Sequence, residues 1–114
     1  MKRILTISTT ATSQFTCEVD SYKYADWFGT TYHPSDPSTG EITSARIIIN
    51  SYLCASDSNS RKSTITHEIG HLLGLADEPP VGADKSLMCY DRDRSVIYQP
   101  QPFDIANVKY IFFN

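Results

Sequence analysis

The stretch His67-Glu68-Ile69-Gly70-His71-Leu72-Leu73-Gly74-Leu75-Ala76-Asp77 organises the reading of this chain. Ser60 or Ser63 is placed to cap the start of a helix, and Gly74 can take the left-handed conformation that ends one. Four residues along an α-helix turn about 400°, so His67 and His71 project within about 40° of each other, one turn apart. Two imidazoles at that spacing can reach a single ion. Ile65, Ile69 and Leu72 fall on nearly the opposite face, which predicts a helix that buries its apolar side and shows its nitrogens to a cleft. Glu68 points between those directions, close enough to act on a metal-bound water without being a ligand. His-Glu-x-x-His is the spacing of a zinc site with a general-base glutamate. Asp77, beyond the helix, offers an oxygen that completes a three-ligand set with one position open for water.

Outward from this helix the signals weaken. Upstream, segment 42–52 carries Ile47-Ile48-Ile49, the strongest strand signal in the sequence. Segment 3–9 alternates Ile4, Leu5 and Ile7 with polar positions and suits a short strand. Between 16 and 28, Val19, Tyr22 and Asp26 or Trp27 recur at three-to-four spacing, which predicts an amphipathic helix, although so many aromatic residues would also suit a strand. Segment 32–40, with Pro34, Pro37 and Gly40, reads as a turn or loop, and 54–60 is polar and turn-rich. Downstream, Pro79, Pro80 and Gly82 rule out regular helix over 77–86. The tail from Pro102 reads as a short terminal helix, with Asp104 near its positive end.

Composition bounds the rest. The chain has 114 residues, 40% hydrophobic and 20% charged, which fits one small folded domain. A net charge of -3 argues against a protein built to grip nucleic acid, and no apolar run approaches the roughly 18 residues of a membrane span. The opening Met1-Lys2-Arg3-Ile4-Leu5-Thr6-Ile7 turns polar at Ser8 too soon for an export signal. Cys17, Cys54 and Cys89 are too few for a disulfide scaffold, and none sits in a Cys-x-x-Cys pair. Arg92 and Arg94, set among Asp91 and Asp93, read as a solvated charged loop. The cluster of Tyr22, Tyr24, Trp27 and Phe28 reads as core packing. His33 reads as a solvated side chain, with a substitute third ligand as the minor alternative.

His67-Glu68-x-x-His71-x-x-Gly74-x-x-Asp77 followed by Ser86-Leu87-Met88-Cys89-Tyr90 resembles a metzincin zinc metalloprotease with its Met-turn. Asp77 in place of the usual last histidine is similar to the small secreted snapalysin-type enzymes. The flanking segments, Arg46-Ile47-Ile48-Ile49-Asn50 and Asp104-Ile105-x-x-Val108, look more matrixin-like. The resemblance implies an α+β fold of minimal zincin type: a small mixed sheet, an active-site helix, a Met-turn and a C-terminal helix. It implies a single catalytic domain over 1–114, with sheet and active-site helix in 1–77 and the Met-turn and final helix in 78–114.

It further implies a zinc endopeptidase in which His67, His71 and Asp77 hold Zn2+ and Glu68 is the general base. Met88 would form a hydrophobic base beneath the metal, and Tyr90 would either stabilise the oxyanion or serve as a core aromatic. The implied edge strand would let Ile47, Ile48, Ile49 and Asn50 bind an extended peptide by strand addition. Cys54 and Cys89 are candidates for a disulfide, with free buried thiols as the alternative. The implied partner is a peptide or protein substrate, the implied state a secreted monomer without nucleic-acid or membrane partners. A metal-bound module that holds a peptide without cutting it is the alternative function, and Glu68 argues against it.

Overall fold

A computed structural model of the chain describes residues 15–34, 42, 44–54 and 58–113. The elements in order are β1 (Phe15–Asp20), β2 (Gly29–Tyr32), β3 (Ala45–Asn50), α1 (Ser58–Leu72), a single 3-10 turn (Pro80–Gly82) and α2 (Pro102–Phe113). The expected strand over 3–9 lies outside the described residues, as does part of the expected loop over 32–40. Three strands of mixed direction and two helices make the fold α+β, in keeping with a minimal zincin. Among the described residues no helix is long and apolar enough to cross a membrane.

The β-branched run of β3 does form a strand, and its place in the sheet corrects the sequence reading. The strand order is β1-β3-β2, so β3 is central and not an edge. It pairs in parallel with β1, from Phe15 opposite Ala45 to Asp20 opposite Asn50. On its other side it pairs antiparallel with β2, from Gly29 opposite Ile49 to Tyr32 opposite Arg46. Burial on both faces explains the unbroken apolar run: Ile47, Ile48 and Ile49 are all buried. Ile47 and Ile49 form the core with Cys54, and Phe28, Ile65 and Leu72 pack against it from the flanking segment and from α1.

The helix expected over 16–28 is a second correction. Its first part is β1, held by the β3 ladder and by the Arg46–Glu18 ion pair at 2.7 Å. The remainder is irregular and tied to Asn50, which is fully buried. Asn50 Oδ1 accepts from the Tyr22 and Tyr52 backbone N–H groups, and its Nδ2 donates to the carbonyls of Tyr22 and Trp27. One side chain therefore supplies the backbone partners that a helix would have supplied internally. The three-to-four spacing had no helix behind it; Tyr22 and Trp27 instead pack against each other, their rings tilted by 46° and their centroids 5.1 Å apart. Tyr24, assigned to the core from sequence, is exposed.

Candidate metal centre and catalytic cleft

Helix α1 keeps Ile65 and Leu72 on the core and turns His67 and His71 to a cleft as expected, but its most buried positions are polar. Its buried residues are Ser63, Thr64, His67, Glu68 and Gly70, while Ile69 is exposed. Polar groups can be buried here because each has a partner. Ser63 Oγ donates to the Ile97 carbonyl at 2.6 Å and Thr64 Oγ1 to the Ser60 carbonyl at 2.8 Å. The helix ends as the sequence predicts, with Gly74 at φ 94°. The Leu75 N–H reaches back to the Gly70 carbonyl and the Gly74 N–H to the His71 carbonyl, both at 3.0 Å, which is the Schellman pattern. That turn sends the chain back toward the helix and brings Asp77 to the histidines.

Three atoms converge there. His67 Nε2 and His71 Nε2 are 3.1 Å apart, and Asp77 Oδ1 lies 3.2 Å from each. The outer nitrogens fix the tautomers. His67 Nδ1 is 2.9 Å from the Leu87 carbonyl and His71 Nδ1 is 2.9 Å from the Leu75 carbonyl. Carbonyl oxygens only accept, so both Nδ1 atoms carry the proton and both Nε2 atoms present lone pairs inward. Arg92 Nη1, 3.3 Å from His67 Nδ1, is therefore a charge beside the ring and not a donor to it.

Two inward-facing imidazole nitrogens and a carboxylate oxygen at one point can hold a cation between them. A proton on His67 is disfavoured, because burial pushes its pKa down to about 4, with the Arg92 and His71 charges acting in the same direction. Tetrahedral zinc bonds of about 2.0–2.2 Å imply ligand separations of about 3.3–3.6 Å, and the triangle, at 3.1–3.2 Å, is within a few tenths of an ångström of that. Two imidazoles and one carboxylate also form a known zinc donor set.

Glu68 is buried beside this triangle. Thr31 Oγ1 donates to its Oε1 at 2.8 Å, while Oε2 stands 3.7 Å from His67 Nε2. His67, Glu68 and His71 also offer ligand atoms within 4.8 Å of one another. Asp77 nevertheless supplies the closer oxygen, and it is nearly equidistant from both rings. Asp77 Oδ1 thus closes the triangle with the two Nε2 atoms, and Glu68 lies beside it. All four residues border an open cleft of about 410 Å³, whose walls include Gly29, Thr30 and Thr31 of β2, with His33, Tyr90 and Arg94.

Met88 is buried under α1, so close that a Cβ on Gly70 would lie 2.5 Å from its sulfur. Tyr90 sits on the cleft wall, and its hydroxyl donates to the Asp26 carbonyl at 2.9 Å. Ile47, Ile48, Ile49 and Asn50 are absent from the cleft. Their strand is paired on both sides and Asn50 is fully engaged within the protein, so the structure contradicts their assignment as peptide-binding residues. His33 is exposed at the rim and outside the ligand triangle. The Cys54–Cys89 pairing is also corrected. All three cysteines are free, with Cys54 Sγ beside Thr64 Oγ1 and Cys89 Sγ donating to the Pro79 carbonyl.

The solvated loop expected at Arg92 and Arg94 is instead buried machinery. Arg92 donates to Ser63 Oγ, the Ser63 carbonyl and the Cys89 carbonyl, and burial with the nearby Arg94 charge pushes its pKa down to about 10. It joins α1 to the turn after Met88, beside His67. Alternating Asp and Arg is a pattern shared with many exposed loops, so nothing in the spacing separates the two cases. Thr31 was missed for a similar reason: β2 has four residues and no apolar alternation.

A family profile described as Peptidase M43, pregnancy-associated plasma protein-A, matches residues 20–93. No curated protein and no solved structure matches the chain. The matched span contains β2, β3, α1, the ligand triangle and the Met88 turn, well over half of the sequence. On that match and this geometry, the chain belongs to the M43 family of zinc-dependent metallopeptidases.

Proposed function

We propose that this protein is a zinc endopeptidase of metzincin type, in which His67, His71 and Asp77 hold the metal and Glu68 is the general base. The observation that carries this reading is the triangle of inward-facing acceptors at 3.1–3.2 Å with a buried carboxylate beside it. When bound, zinc supplies Lewis acidity, which acidifies a coordinated water and polarises a scissile carbonyl. The chain's own residues do the rest. Thr31 holds Glu68 Oε1, which leaves Oε2 on the cleft side to take the proton of the attacking water and return it to the leaving amine.

Among the described residues β2 carries an edge with no strand partner, and it lines the cleft. An extended peptide adding to β2 would lie across the metal centre, which moves the strand-addition role from β3 to Gly29, Thr30 and Thr31. Tyr90 forms part of the wall. To reach an oxyanion its hydroxyl would first have to leave the Asp26 carbonyl. Met88 supports the reading as packing beneath the helix turn that carries both histidines.

The test is cleavage of a denatured protein substrate by wild type, by Glu68→Ala and by chelated protein. Wild type should cut. Glu68→Ala should retain zinc and lose about 10²–10⁴-fold in rate, and chelation should abolish cutting. A Glu68→Ala protein that holds zinc and cuts as fast as wild type would remove Glu68 from the mechanism. A wild type that holds zinc and cuts nothing would leave a binding module.

A further inference from the structure

Two arginines stand two residues apart, and only one of them is used up by the fold. Arg92 gives three hydrogen bonds to Ser63 and Cys89, which accounts for its burial. Arg94 is nearly as buried, at 7% exposure, yet it borders the cleft. Its guanidinium carbon lies 4.0 Å from the Phe28 ring centroid and 5.1 Å from that of Tyr90. Nη1 donates to Thr64 Oγ1 at 3.0 Å, and Nη2 reaches the Tyr90 carbonyl only at 3.5 Å. Among the described residues Arg94 makes no ion pair. Its hydrogen bonds to the described residues all run through Nη1 and Nη2, and the residue lines the cleft.

A buried guanidinium with no carboxylate in contact is costly, and aromatic faces, one hydroxyl, a long contact to a carbonyl and the Glu68 charge at longer range compensate only part of that. Arginine stays a cation and offers a planar fork of donors that matches a carboxylate in bidentate fashion. The other charged groups on the cleft wall, Glu68 and Asp77, are acids that would repel a carboxylate if Arg94 were absent.

We propose that Arg94 is a specificity-determining residue: it receives an Asp or Glu side chain of the substrate close to the bond that is cut. This rests on the peptidase reading above and names the substrate class within it.

Two peptide libraries test it, one with Glu and one with its neutral isostere Gln at a fixed position, randomised elsewhere. Cleavage is read by mass spectrometry, and binding to the Glu68→Gln protein by calorimetry. Wild type should cut the Glu library at least about tenfold faster at one position beside the cut, and Glu68→Gln should bind it correspondingly tighter. In Arg94→Gln both preferences should collapse to near unity. Arg94→Lys, which keeps the charge without the fork, should retain part of the preference. Equal handling of both libraries by wild type, or an undiminished preference in Arg94→Gln, overturns the role of Arg94 and leaves the peptidase intact. If Arg94→Gln does not fold, the wild-type ratio and Arg94→Lys decide, and a Glu preference that Arg94→Lys does not weaken at all counts against the proposal. If wild type cuts neither library, the peptidase reading fails, and the binding comparison alone supports or overturns carboxylate recognition at Arg94.

Discussion

Arg92 shows how far a single side chain can depart from its sequence context. Flanked by two aspartates it resembles a surface residue, yet it is buried and holds the Ser63 and Cys89 carbonyls. Replacing it with Met would leave those carbonyls without their charged donor, a loss of about 2–4 kcal/mol. Urea unfolding of Arg92→Met checks this; a change under about 0.5 kcal/mol would return the residue to the surface class. The convergence of these three side chains was legible, because His67 and His71 at one-turn spacing and Asp77 just past a helix-ending glycine are local relations. Thr31 and Arg94 were not. They reach the cleft through long-range contacts, Thr31 to Glu68 and Arg94 to Thr64, that local spacing does not encode.

Within elements, the helix ends were easier to read than the helix faces. Gly74 stops α1 as its lack of a Cβ predicts, at φ 94°. The face rule held for Ile65 and Leu72 but not for Ile69, because it assumes that burial means apolar contact, whereas α1 also buries polar residues satisfied by Ile97, Leu87 and Thr31. Gly70 belongs to that buried face and sits against Met88. An Ala there gains about 1 kcal/mol of helix propensity, but its Cβ would lie 2.5 Å from the Met88 sulfur in a buried site. Overpacking of this kind typically costs about 1–3 kcal/mol, so Gly70→Ala should be net destabilising. Met88→Ala opens a cavity that the new methyl partly fills. The double variant should therefore be more stable than the sum of the two single losses, as read from urea midpoints. Additive losses would mean that Gly70 and Met88 do not constrain each other. The strands divide in the same way. The triple isoleucine of β3 marks a buried strand wherever it sits, but its neighbours depend on partners elsewhere in the chain, and an edge was expected where the centre lies.

Across the whole molecule one carboxylate links the terminal helix to the metal centre. Asp104 Oδ2 accepts from the Gln101 N–H, the reach-back of a helix capping box, and also from the Leu87 N–H, both at 2.8 Å. Its Oδ1 accepts from Ser86 Oγ at 2.6 Å. The Leu87 carbonyl in turn holds His67 Nδ1. The sequence placed Asp104 correctly at a helix start, but not its hold on the Met88 turn, 17 residues from Leu87. Asp104→Ala should lose about 3 kcal/mol of stability and weaken zinc binding about tenfold or more, since the group that orients a ligand tunes its affinity. Competition with a chelator measures the second effect, and unchanged affinity would mean that the turn holds His67 without α2. The ligand triangle is tested most directly by zinc content per chain, determined by elemental analysis for wild type, Glu68→Gln and Asp77→Ala purified side by side. About one zinc per chain in wild type and in Glu68→Gln, with most of it lost from Asp77→Ala, is the expected result. Full zinc in Asp77→Ala with loss from Glu68→Gln would make Glu68 the ligand and contradict the assignment of both residues.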